Sequence, residues 1–147
     1  MLGKPSPVSF NPGPHTYRRR REVGHDGPIL INGELAMGIF RLYTGGDGQS
    51  HIGELDLSTH PELTSPLAAS TINFREWPRG HFLDWHPAPR RQYIIPLFGA
   101  IEIRLRGGRV HRFVPGGARL VEDSTEAGHT TRVLGDQPSV DAIIPLA

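Results

Sequence analysis

Residues 80–99, GHFLDWHPAPRRQYIIPLFG, carry the pattern that decides how this chain is interpreted. The order is glycine, five residues, His86, one residue, Ala88, three residues, Gln92, six residues and a second glycine. Side chains two apart on a strand point to the same face of a sheet. A regular strand would therefore place His86, Ala88 and Gln92 on one face, which we expect to line the interior of a β-structure.

The composition indicates one domain made of short elements. A chain of 147 residues is near the usual size of a single domain. Its 18 glycines and 14 prolines interrupt any long helix. The formal net charge is +1, so no overall field attracts nucleic acid or an anionic membrane, and neither partner is expected. Because there is no cysteine, disulfides, thiolate metal sites and a cysteine nucleophile are excluded.

The N-terminal part has a different character from the rest. Residues 1–28 are rich in Pro, Gly, Arg and His without periodicity, which predicts an irregular or disordered basic arm. The arginines at 18–21 suit either a solvated tail or contacts with phosphates. The first seven residues lack an apolar run of secretory type, and no apolar stretch approaches the ~20 residues of a membrane span. We therefore expect a cytoplasmic protein.

Residues 29–147 read as a single domain of strands and turns. Residues 58–69 are predicted to be a loop, the glycines at 107 and 108 a hairpin turn, and residues 115–117 a further turn. No segment has sustained helical periodicity. Strands are predicted at 36–43, 51–57, 70–77, 92–98, 100–106, 109–114, 118–122, 129–134 and 140–145. This pattern predicts an all-β sandwich or barrel, and a double-sheet jelly roll fits the strand count.

The spacing within residues 80–99 resembles the first signature motif of the cupin family, G-x5-H-x-H-x3-E-x6-G. Residues 108–124 are similar to the second motif, roughly G-x5-P-x-G-x2-H-x3-N, with one extra residue after the first glycine. The resemblance implies a double-stranded β-helix, or jelly-roll barrel, that binds a small molecule inside. It also implies a homodimer, since cupins commonly pair through sheet edges and an exposed edge favours a covering partner.

Metal cupins hold divalent iron, manganese, nickel or zinc with three imidazoles and a carboxylate, and this chain departs from that set. His86 keeps one ligand position. Ala88 and Leu120 stand where two histidines would be, and Gln92 offers a neutral amide instead of a carboxylate. The usual four-ligand site is therefore not expected, and no cofactor is predicted.

Glu122 and His129 offer a displaced site as an alternative. Alternation puts Ala118, Leu120 and Glu122 on one face, which we expect to be the inner one. His129 opens the next predicted strand and would reach the barrel mouth if the preceding turn directs it there. His86, Gln92, Glu122 and His129 would then converge as a rearranged metal site, with iron the first choice for oxygen chemistry.

The same polar residues without a metal suit proton transfer, because an imidazole titrates near neutral pH. We predict catalytic roles for His86, His129 and Glu122 in a metal-independent isomerisation, cyclisation or dehydration of a small organic molecule. A third possibility is a non-catalytic module for ligand binding or dimerisation. Substrate-binding roles are predicted for Gln92, Arg90, Trp85, Phe98 and Leu120, with apolar walls from Ile94, Pro96, Ile101, Ile103 and Leu105.

Overall fold

The computed structural model describes residues 34–147. The basic arm predicted at 1–28, the arginines at 18–21 and the domain boundary predicted at residue 29 lie outside the described residues. The described part contains one short 3-10 helix, Pro61–Thr64, within the predicted loop at 58–69. Its nine strands are β1 Glu34–Thr44, β2 Ser50–Glu54, β3 Asn73–Trp77, β4 Phe82–His86, β5 Gln92–Phe98, β6 Ala100–Arg104, β7 Val110–Val121, β8 His129–Leu134 and β9 Ser139–Pro145.

The strands pair as two four-stranded halves that share β7. One half has the order β3-β9-β5-β7 and the other the order β7-β6-β8-β4, with antiparallel neighbours throughout. From β3 to β6, each strand is followed along the chain by a strand of the opposite half. Two antiparallel sheets interleaved in this way form a jelly roll. The predicted all-β jelly-roll fold is therefore confirmed, and β1 extends it by pairing in parallel with β7 and antiparallel with β2.

The long strand β7 forms the corner between the two halves. Its residues 110–113 pair with β6, whereas residues 119–121 pair with β5. The turn predicted at 115–117 is therefore wrong, because the proline and glycines there bend a continuous strand from one sheet to the next instead of reversing the chain. A register shift against β1 marks the same place. The two strands predicted on either side are one, and β4 is a strand that the pattern did not reveal.

The second glycine of the 80–99 stretch has a structural reason to be glycine. Gly99 joins β5 to β6 with a φ of 75°, and a Cβ atom there would lie 2.4 Å from the carbonyl oxygen of Pro138. The turn between β5 and β6 thus packs directly on the backbone that leads into β9. Any side chain at this position would separate the two connections.

The apolar core lies where β1, β2, β6 and β7 meet. Phe113 is fully buried, and the ring of Phe40 packs edge-on against it with the centroids 5.8 Å apart. Each fully buried aliphatic or aromatic side chain contributes about 1.5–3 kcal/mol relative to exposure. The buried cluster comprises Leu42, Ile52, Ile101, Ile103, Leu105, Phe113 and Val121. No helix within residues 34–147 is long and apolar enough to cross a membrane.

Candidate functional site

A cavity of about 350 Å³ lies between the two halves of the jelly roll. This volume is within the range of small-molecule sites, and seven strands contribute to the lining. The predicted walls Ile94, Ile101 and Ile103 line it, whereas Pro96 and Leu105 do not. Its polar and charged lining residues are Arg75, His86, Gln92, Arg119, His129, Thr131 and Asp141.

The three positions of the 80–99 pattern line this cavity together. His86, Ala88 and Gln92 all line it, so the structure brings these three positions together. The local geometry differs from the prediction of one regular strand. His86 ends β4, Ala88 lies in the following loop, and Gln92 begins β5. Convergence therefore depends on the loop between two strands of opposite halves.

His86 and His129 form a cross-strand pair at one end of the cavity. Their Cα atoms are register partners of β4 and β8, and their ring centroids lie 4.5 Å apart. Gly128 permits this approach, because a Cβ atom there would lie 2.3 Å from the carbonyl oxygen of His86 and its φ is +51°. The structure thus brings His129 beside His86.

A buried carboxylate holds the ring of His129. The Nδ1 atom of His129 donates a hydrogen bond of 2.7 Å to Oδ2 of Asp123. The hydroxyl of Ser50 donates to the same oxygen, also at 2.7 Å, and Asp123 is fully buried. Since an ionised carboxylate only accepts hydrogen bonds, the proton of the neutral His129 ring is assigned to Nδ1, which leaves the lone pair on Nε2.

His86 has a different partner and therefore a different character. Its Nδ1 donates a hydrogen bond of 2.7 Å to the carbonyl oxygen of Asp84, so its Nε2 also carries the lone pair. Burial lowers the pKa of His86 below its ordinary value, the charge of a protonated His129 lowers it further, and the bond to Asp84 opposes both effects. Near neutral pH, His86 is thus an uncharged hydrogen-bond acceptor.

Glu122 and Leu120 do not join this site, contrary to the prediction. Both line a second cavity, of about 610 Å³, on the opposite face of the sheet. There Glu122 forms ion pairs with Arg41 and with Arg91, the latter over 2.9 Å. The inward residues of this part of β7 are Arg119 and Val121. The alternation along this part of β7 is shifted by one residue from the expected one. Such a shift exchanges the two faces of a strand, so Glu122 does not point into the first cavity.

Three further residues predicted to bind substrate lie away from the cavity. Arg90 is exposed in the loop between β4 and β5. Trp85 faces away from the lining, and the guanidinium of Arg106 lies 3.7 Å above its ring centroid. Phe98, at the end of β5, is 50% exposed. Of the predicted binding residues, the structure brings Gln92 alone to the site.

Three functional candidates were not identified from the sequence. Asp123 reads as a turn residue in the sequence, yet it is the partner of His129. Arg119 and Asp141 are both buried and line the cavity from β7 and β9. For Arg119 and Asp141 a signal did exist, because each is a charged residue inside a predicted strand. Such residues are seldom fully buried unless they are paired.

The residues present do not fit the metal site of the cupin resemblance. Within residues 34–147, no group of three or more His, Asp or Glu side chains is arranged to hold a metal ion. The set of His86, Gln92, Glu122 and His129 is not assembled, since Glu122 lies on the other face. The nearest buried carboxylate, Asp123, is bound to His129.

Comparisons with known proteins give a distant likeness. No protein-family model matches the chain, and no curated protein matches it. Among solved structures, it is similar to dTDP-4-dehydrorhamnose 3,5-epimerase from Bacillus anthracis str. Ames, which was crystallised with TDP and PPi bound. The identity is 15%, the match covers 74% of this chain and 70% of that chain, and the TM-score is 0.33. The assignment of the jelly roll therefore rests on the strand pairing within this chain.

Proposed function

We propose that this protein is an enzyme that transfers a proton on a small organic molecule bound in the cavity, without a metal. The observation that carries the proposal is the His129–Asp123 hydrogen bond beside the second imidazole of His86. The reaction is an isomerisation or a related cyclisation or dehydration, all of which move a proton between two atoms of one substrate. In a dehydration the proton taken from carbon goes to the hydroxyl oxygen, whose bond to carbon breaks as water leaves.

His129 is the proton-transferring group in this proposal. Its Nε2 takes a proton from the substrate, and the ring then carries a positive charge. The carboxylate of Asp123, 2.7 Å from Nδ1, fixes the ring orientation and compensates that charge. The proton on Nε2 exchanges with water, and the ring then returns a proton to a second substrate atom, so His129 ends the cycle in its starting form and deuterium from D₂O enters the substrate or product.

His86 assists as a neutral acceptor. Because its pKa is lowered, it does not add a second positive charge next to the imidazolium of His129. Its Nε2 is suited to accept a hydrogen bond from a substrate hydroxyl. Ile94, Ile101 and Ile103 keep the cavity wall apolar, which strengthens electrostatic interactions inside it.

The first prediction concerns Asp123→Asn, which removes the charge and keeps the size of the side chain. We expect it to slow proton exchange by about 10²–10⁴-fold, the usual contribution of a positioned acid or base. The measurement is deuterium incorporation from D₂O into a panel of small oxo acids, hydroxy acids and sugars, followed by mass spectrometry. His129→Gln is expected to give a similar loss.

Asp47→Asn is the matched control, because Asp47 also bonds a histidine, His51, over 2.9 Å, but at an exposed site. It should leave exchange unchanged. Exchange by Asp123→Asn at the wild-type rate would contradict the proposal. So would a panel compound that the wild-type protein binds tightly without any exchange, which would indicate a binding module instead.

A further inference from the structure

We propose that the cavity selects a small hydroxylated carboxylic acid, whose carboxylate binds Arg119 and whose hydroxyl binds Asp141. The inference rests on the proposed function for the reaction, and it adds the class of substrate. The residues that carry it lie on β7 and β9, apart from His86 and His129.

Arg119 is a buried cation with unused hydrogen-bonding capacity. It is 3% exposed and lines the cavity. Within residues 34–147, its Nη1 atom has no hydrogen-bond partner. Its Nη2 atom lies 3.8 Å from Oδ2 of Asp141, which is too long for a hydrogen bond. A guanidinium carries five N–H donors, and leaving buried donors unpaired is costly. A ligand acceptor in the cavity would remove that cost.

A carboxylate is the acceptor that fits this group best. The planar fork of a guanidinium matches the two oxygens of a carboxylate. Asp141 already offsets part of the charge of Arg119, so the remaining positive charge suits a monoanion better than a phosphate dianion. Burial lowers the pKa of Arg119, and the charge of Asp141 opposes that effect.

Asp141 supplies the second contact. It is 1% exposed, and within the described part of the chain its Oδ1 has no hydrogen-bond partner. Burial raises its pKa, and the charges of Arg119 and Arg75 oppose that effect. A hydroxyl both donates and accepts, so it can bind Asp141 in either protonation state. A ligand without a hydroxyl would leave this oxygen unpaired.

The topology places the two ends of such a substrate on opposite sheets. Arg119 and Asp141 belong to the β3-β9-β5-β7 half, whereas His86 and His129 belong to the other. An acid held by Arg119 therefore directs its carbon chain across the cavity toward the imidazoles. Neutralising the carboxylate also makes a proton on the adjacent carbon easier to remove, because less negative charge accumulates when it leaves.

The test compares three-carbon probes by isothermal titration calorimetry on the full chain. Glycerate has both groups, propanoate lacks hydroxyls, glycerol lacks the carboxylate, and glycerol 3-phosphate carries a dianion. Glycerate is expected to bind about tenfold or more tightly than propanoate or glycerol 3-phosphate, with glycerol weakest. Equal binding of glycerol and glycerate would overturn the inference, and tighter binding of glycerol 3-phosphate would overturn the assignment to a carboxylate.

The variants remove charge without leaving a buried ion unpaired. Arg119→Leu combined with Asp141→Leu should reduce glycerate affinity by about tenfold or more, while Arg109→Leu, at an exposed turn residue, should not change it. Arg119→Lys keeps the positive charge but loses the planar pair of N–H donors that matches a carboxylate. If the double variant does not fold, a loss of about threefold or more in Arg119→Lys supports the inference, and unchanged affinity contradicts it.

The two proposals fail in different ways. If glycerate binds in a way that depends on Arg119 but no acid exchanges deuterium, this inference stands and the proposed reaction is rejected. If neutral compounds exchange deuterium at the same rate with and without Arg119, the proposed reaction stands and the selection for an acid is rejected.

Discussion

At the scale of single residues, the site depends on the different partners of two similar side chains. His129 faces a buried carboxylate, which can compensate a positive charge. His86 faces a backbone carbonyl, which orients the ring without a full charge. Two imidazoles whose centroids are 4.5 Å apart cannot both become cationic without repulsion. The pair is therefore suited to carry one positive charge at a time.

This difference predicts a pH dependence of stability. The pKa of His86 is lowered by folding, whereas the unfolded chain titrates near its ordinary value of 6.5. Unfolding therefore takes up a proton between these two values. The stabilisation is complete above the unfolded pKa and is lost as the pH falls through the lowered folded pKa. We expect the free energy of unfolding, measured with urea, to decrease on acidification below about pH 6.5.

His86→Gln should flatten that decrease, because the variant has no group to titrate there. The control is His60→Gln, which removes a partly exposed histidine bonded to Glu62 over 2.9 Å. An identical pH profile for wild type and His86→Gln would show that His86 does not couple protonation to folding.

At the scale of elements, the junction between β4 and β8 sets the distance between the two histidines. Gly128→Ala would place a Cβ atom 2.3 Å from a backbone oxygen at a φ of +51°, so the two strand ends must separate. We expect a loss of stability of about 1–3 kcal/mol in urea unfolding, together with slower proton exchange. Gly46→Ala is the control, since nothing lies within 4 Å of its added Cβ atom. Equal stability of the two variants would contradict this account.

The strands also show how far sequence patterns reach. Residues 92–98 and 129–134 are strands with the predicted bounds, because the first is an apolar run and the second is rich in β-branched residues after a glycine. Which side chains of β7 point into the cavity was not predictable, because residues 118–122 place both apolar and charged side chains on each face. Where β7 bends at 115–117, the phase of the alternation is set by pairing with distant strands. The roles of Arg119 and Glu122 depend on that phase.

At the scale of the whole molecule, the jelly roll explains why one short stretch organises a site. Successive strands enter opposite sheets, so the connection between β4 and β5 crosses from one wall of the cavity to the other. His86 and Gln92 thus belong to different sheets although they are only six positions apart in the sequence. Asp123 and Asp141 come from a later turn and a later strand. Only the closed fold brings Asp141 to the cavity and Asp123 to His129.

The same fold leaves β3 at an edge, and this predicts a homodimer. In the described residues, β3 pairs with β9 on one side only. Ile72 and Phe74 beside that edge are 58% and 66% exposed. Unpaired edges with exposed apolar side chains favour a covering strand, and a second copy supplies a matching one. Light scattering after gel filtration should give twice the mass of one chain.

Phe74→Glu should weaken the dimer by about tenfold or more, since a buried charge would replace an aromatic contact at the edge. Leu57→Glu is the control, because Leu57 is 49% exposed but belongs to the turn after β2 and not to β3. Both variants must retain the thermal stability of the wild-type protein for the comparison to hold. A monomeric wild-type protein, or a dimer unaffected by Phe74→Glu, would show that this edge is not the interface, and the exposed apolar pair would then require another partner.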